Sequence, residues 1–150
     1  MDDLFSLGPG ELQKLAAAEE LRTCNDFTAR FGLTLTEAQI WTLVEKKSEA
    51  LKDTGRVEFG GGILKKLIWE FCDSPFITQD NYEETLSELL DSFYYFKNES
   101  MDIISDDELI SLMKEYFDTV CQGSLEYMSG TALDDLCRSA RNGGTPRRLF

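Results

Sequence analysis

The chain has 150 residues, a length that suits one domain large enough to bury a core. It is 42% apolar and 11% aromatic, which excludes a disordered segment. The net charge of −13 disfavours nucleic acid and anionic membranes as partners, because both require phosphate charge to be neutralised. There is no histidine. That excludes Ser-His-Asp and Cys-His nucleophile activation, histidine proton shuttling and histidine metal sites.

The opening MDDLFSLGPG is acidic and short of apolar residues, so it reads as a lead-in over 1–10 and not as a signal peptide. No apolar run approaches 18 residues, so no membrane span is expected and the localisation is read as cytoplasmic. A helix is expected from about 11 to 30. Its apolar residues Leu12, Leu15, Ala16, Ala17, Leu21 and Cys24 drift around the axis, with a break or bend expected at Asn25-Asp26. Gly32 stops it.

Thr36 and Gln39 then form a capping box, with Leu35 and Ile40 as the hydrophobic staple. The helix they start is expected over 37–53, with Ile40, Leu43, Val44 and Leu51 inward and Gly55 just past its end. Residues 56–59 read as one short extended piece with no partner strand.

Gly60, Gly61 and Gly62 precede a helix over 62–72 whose inward face is Ile63, Leu64, Leu67, Ile68 and Phe71. Two readings of the glycines stand side by side. Positive φ and free N–H groups at a helix start suit an anion, such as a phosphate or carboxylate, with Arg56, Lys65 and Lys66 as charge partners. Alternatively they form a tight turn that docks the helix against Val57 and Phe59. Neither the P-loop nor the G-x-G-x-x-G pattern fits. Lys65, Lys66 and Trp69 share a basic–aromatic face.

Ser74-Pro75 ends that helix. Thr78 is expected to cap the next, over 79–97, whose stripe is Tyr82, Leu86, Leu89, Leu90, Phe93 and Tyr94, with Phe96 at its edge. Glu84, Glu88, Asp91 and Tyr95 lie opposite, as solvated surface or as a docking face for a basic partner. Ten acids and one base, Lys97, fall between Asp80 and Glu108.

A calcium loop over Glu99–Glu108 is set aside, because no D-x-[DN]-x-[DN]-G register fits and the bend has no glycine. Ser105 caps a helix over 106–121, Glu108 closes the box, and Ile104 staples to Leu109. Its inward face is Leu109, Leu112, Met113, Tyr116, Phe117 and Val120. One turn at 124–128 and a helix over 132–140, capped by Thr131, complete the domain. The last residues, 141–150, read as a mobile basic tail able to fold back on the acidic helix. The four cysteines, Cys24, Cys72, Cys121 and Cys137, are widely spaced, so reduced buried thiols are expected and no metal site or cofactor.

The fold expected is all-α, a single-domain bundle of five to six helices over 11–140 with at most one short extended segment near 56–59. FGLTLTEAQ (31–39), GRVEFGGGILKKLI (55–68), FCDSPFITQDNYEETLSELLDSFYYFKNES (71–100), DELISLMKEYFD (107–118) and GSLEYMSGTALDDLCR (123–138) carry a resemblance over about 11–140. The chain resembles a family of short bacterial proteins of unknown function. The resemblance implies a bacterial, cytoplasmic helical protein and assigns no activity, ligand or catalytic residue. The function expected is that of a non-enzymatic module with a protein partner at Lys65, Lys66, Trp69, Glu84, Glu88, Asp91 and Tyr95. The alternative is a small anionic-ligand protein or enzyme built on Arg56, Gly60, Gly61, Gly62, Lys65 and Lys66.

Overall fold

Helix α4 (Tyr82–Glu99) runs through the middle of the molecule. In the computed structural model, which describes residues 9–58, 60–130 and 132–142, it touches five other helices. These are α2 (Glu37–Thr54), α3 (Gly62–Phe71), α5 (Asp106–Asp118), α6 (Leu125–Ser129) and α7 (Ala132–Arg141). The sixth, α1 (Pro9–Thr28), packs on α2 and α3. The architecture is an all-α single-domain bundle of six helices of ten residues or more plus the short α6. No strand occurs among the described residues, so Arg56–Glu58 is irregular, and Phe59 lies outside them.

The central position of α4 widens its buried surface beyond one stripe. Leu86, Leu89, Leu90 and Phe96 are fully buried. Phe96, expected at the edge, is therefore a core residue. Lys97, one position further on, is buried as well. Its Nζ donates to the Ile104 carbonyl at 2.7 Å and pairs with Asp106 at 2.8 Å, which ties the 100–105 loop down. In that loop Met101 and Asp102 take positive φ of 52° and 62°.

The capping box that starts α2 forms as expected: Gln39 N–H donates to Thr36 Oγ1 at 3.2 Å and Thr36 N–H to Gln39 Oε1 at 2.9 Å. Gly55 ends the helix with φ 67°. At α5 Ser105 accepts from Glu108 N–H at 3.3 Å, and Ile104 and Leu109 are both buried.

Several boundaries differ from expectation, each for a local reason. α1 starts at Pro9, and proline suits a first helical position. It does not break at Asn25, whose side chain brackets the backbone of Leu35 (2.8 and 2.9 Å) and so anchors the α1–α2 loop. Leu12 and Leu15 are exposed, because α1 turns its Ala17, Ala18 and Leu21 edge inward. Thr78 opens a single 3₁₀ turn, Gln79–Asn81, and α4 begins only at Tyr82. The Asn81 side chain takes the Thr78 N–H at 2.8 Å and donates to Phe76 O at 3.2 Å, which stops the helix from starting earlier. α5 ends at Asp118, and Gly123 (φ 85°) lies against Phe76, where a Cβ would clash. Thr131 and 143–150 lie outside the described residues. Within them, Arg138 and Arg141 of α7 do meet the acidic helix, at Glu99 (3.1 and 3.8 Å).

All four cysteines are buried and unbridged. Burial raises each thiol above its ordinary 9.0, Cys137 to about 12. Burial likewise raises the phenols of Tyr82, Tyr94 and Tyr116 above 10.0. The folded chain therefore keeps protons that the unfolded chain releases first, and this stabilisation is complete below pH 9 and lost as pH rises through the folded values. Lys47 works the other way, since burial lowers it below 10.5 and its deprotonation favours folding as pH climbs. Tyr95, Lys66 and Lys114 are raised too, so the raised groups far outnumber Lys47, and urea midpoints are expected to hold steady to about pH 9 and then fall. A midpoint that rises across pH 9–11 would contradict this balance.

Candidate functional site

The triple glycine turn sits where α1, α2, α3 and α4 come together, and carboxylates of the chain itself fill it. Gly60 and Gly62 take positive φ (58° and 51°). Gly61 N–H donates to Glu20 Oε2 of α1 in a very short contact. Ile63 N–H, in the first turn of α3, donates to Glu58 Oε1 at 3.1 Å. The other Glu58 oxygen accepts from the Tyr94 hydroxyl of α4. Lys47 of α2, 5% exposed, donates to the Gly60 carbonyl at 2.7 Å and lies 3.8 Å from Glu58. The donors expected to meet an outside anion thus meet Glu20 and Glu58.

The remaining members of that proposed anion site point elsewhere. Arg56 donates to Asn98 at 2.8 Å, pairs with Asp102 at 2.8 Å and lies 5.9 Å from the Tyr94 ring centroid. Its Nε is buried without a partner. Lys65 lies 3.8 Å from Glu20, and Lys66 pairs with Asp107 at 2.8 Å, which raises the Lys66 pKa. Val57 is 80% exposed, so α3 does not dock on it.

Each lysine of the basic face therefore has a carboxylate partner, and neither partner comes from the acidic face of α4. Trp69 stays 47% exposed and stacks at 4.0 Å between ring centroids on Phe27, a contact absent from the sequence expectation. Residues 42 positions apart gave no periodicity to read.

The acidic face of α4 is divided. Asp91 pairs with Lys46 at 2.9 Å. Tyr95 donates its hydroxyl to Asp134 at 2.8 Å, and Asp134 in turn pairs with Arg138. Tyr95 is thus bound toward α7. Glu84 and Glu88 are exposed, without an ion pair among the described residues. Two open grooves flank this face and meet at Asp91. One, of about 620 Å³ between α2 and α4, is lined by Trp41, Ala50, Glu45, Lys46, Glu49 and Asp53. The other, of about 470 Å³ toward α6, is lined by Glu88, Ser124, Leu125 and Glu126. Trp41, Glu45, Glu49 and Asp53 were not expected at a site, because only the packing of α2 beside α4 brings them to Asp91.

Among the described residues no three acidic, thiol or imidazole side chains converge on a metal position. No helix among them is long and apolar enough to cross a membrane.

A model of the family of unknown function DUF6323 matches residues 20–146, and the chain belongs to that family. No curated protein and no solved structure matches the chain.

The glycine turn makes a stability prediction. A Cβ on Gly60 or Gly62 would collide with the Glu20 or Glu58 carboxylate at positive φ. Gly60→Ala and Gly62→Ala are each expected to cost about 1–3 kcal/mol in urea unfolding. Gly10→Ala, where a Cβ meets nothing within 4 Å, is expected to be neutral or slightly stabilising. Equal costs at all three positions would mean that the carboxylate seats contribute nothing.

Proposed function

We propose that the chain is a non-enzymatic interaction module of the bacterial cytoplasm, and that a basic protein partner docks on the acidic face of α4 and its flanking grooves. The supporting observation is the pair of open grooves meeting at Asp91, with Glu49, Asp53, Glu84 and Glu88 unpaired around them among the described residues. The chain's cations are largely committed internally: of the described lysines and arginines, only Arg30 and Lys52 lack an ion pair. The net charge of −13 is therefore carried as outward carboxylate. Such a surface steers a basic partner and speeds its association at low salt.

The rival, a small anionic ligand at Gly60–Gly62, would have to displace Glu20 and Glu58 and leave Lys47 without its carboxylate. Removing one partner from a buried ionic group costs about 3–5 kcal/mol, so the rival is the weaker reading.

Affinity capture from a bacterial lysate, read by mass spectrometry, tests the proposal. The bait is compared with a Glu49→Lys/Glu84→Lys/Glu88→Lys variant and with a Lys65→Glu/Lys66→Glu/Trp69→Ala variant, each checked for folding by circular dichroism. The expected result is a stoichiometric basic protein lost from the first variant, kept by the second, and released by about 0.5 M salt. A partner kept by the first variant and lost from the second would move the surface to Trp69. No partner on any bait would overturn the interaction reading.

A further inference from the structure

The C-terminal end of α1, the 3₁₀ turn after it (Ala29–Phe31) and the outer side of α3 carry an aromatic surface that the acidic face does not use. Phe31 is 42% exposed and Trp69 47%, with half-buried Phe27 between them. The Phe27 ring lies 4.0 Å from Trp69 and 5.8 Å from Phe31, centroid to centroid. The Arg30 guanidinium sits 4.4 Å from the Phe27 centroid, and its Nε donates to the Phe27 carbonyl at 3.1 Å. Arg30 and Lys52 are the described cations with no carboxylate partner, and Arg30 is the one set among exposed rings. Exposed aromatic rings beside an arginine have the composition of an interface hot spot.

We infer that Phe27, Arg30, Phe31 and Trp69 form a second docking surface, and that it takes a partner protein segment bearing an apolar side chain next to a carboxylate. The apolar half of that specificity comes from the rings. The acidic half comes from Arg30. Any segment that covers Phe27 and Phe31 removes water from a guanidinium whose two terminal nitrogens have no acceptor among the described residues. Burying that charge unpaired is costly, and a carboxylate offsets the cost with two parallel hydrogen bonds. Nearby Lys65 and Lys66 already face Glu20 and Asp107, so they do not set the preference. The grooves beside α4 share no residue with this platform. A chain with both surfaces could bridge two partners of opposite character.

The two surfaces also differ in their response to salt. A basic partner on α4 is attracted by the whole −13 field and weakens as salt screens it. An acidic segment on the aromatic platform is repelled by that same field at long range and held by contacts at short range. Its binding is expected to hold or tighten as salt rises.

The test is selection of a random peptide library displayed on phage against the full chain, at low and at high salt. Parallel selections use Phe31→Ala/Trp69→Ala and, separately, Arg30→Glu, which leaves the rings in place; urea midpoints confirm folding. The expected result is a set of peptides with Leu, Phe or Trp within a few residues of Asp or Glu. Their binding should fall at least about tenfold on both variants and not weaken with salt. Peptides that need Phe31 and Trp69 but are basic, or are unaffected by Arg30→Glu, would overturn the assigned partner chemistry. Enrichment of no ring-dependent peptide, or tighter binding of single-stranded oligonucleotide to the rings, would overturn the surface itself. None of these outcomes depends on the α4 face, so this inference and the proposed function fail separately.

Discussion

One ionic cluster joins four helices, and the order of the surrounding segment depends on it. Glu58 lies in the irregular stretch between α2 and α3, yet it accepts from the first turn of α3, from Tyr94 of α4, and faces Lys47 of α2. Glu20 of α1 adds its carboxylate to Gly61. A lysine 5% exposed loses most of its hydration, which is why burial lowers the pKa of Lys47. The arrangement is tolerable only because the Gly60 carbonyl and Glu58 take the place of water. Glycine is needed here for access: a side chain at Gly60 or Gly62 would occupy the space of the carboxylates.

The same device recurs one turn further along α4. Lys97 is buried, donates to the Ile104 carbonyl and pairs with Asp106, while Ser100 beneath it is fully buried. In both places a lysine from a helix reaches a loop carbonyl and a carboxylate at or just before the start of the next helix. Lys47 precedes α3 in this way and Lys97 precedes α5. Short irregular connections gain little from apolar burial, so a buried cation with two acceptors orders them instead.

Helix existence and core faces were largely legible in the sequence, because both follow from local spacing. The Thr36–Gln39 box, the Gly55 stop and the α3 face Ile63, Leu64, Leu67, Ile68 and Phe71 need no information beyond one helix. What could not be read depends on partners far along the chain. Asn25 serves as an anchor for Leu35 rather than a helix breaker. Asn81 delays α4 through Phe76. The glycine turn carried a true signal, a need for an anion close to the backbone. Composition alone could not show that the anion would be Glu20, forty-one residues away from Gly61. Lys47 and Lys97 look like surface lysines in any helical wheel, and only packing against the turn before α3 and the 100–105 loop buries them.

Charge distribution connects these internal contacts to the surface. Acids outnumber bases by thirteen, and most described bases are spent holding elements together: Lys47 and Lys97 in loops, Arg56 at Asp102, Arg138 at Glu99. Among the described residues, what remains outward is carboxylate along α2 and α4, Lys52, and one arginine set among aromatic rings. A mutation that removes an internal cation would therefore act twice, loosening a segment and raising the self-repulsion of the folded state. That self-repulsion is the cost at which the acidic face is kept open to solvent, and a cationic partner seated there would relieve it. Under the proposed function, docking and stability would be coupled through the same field, with a partner supplying the positive charge that the fold has already used inside.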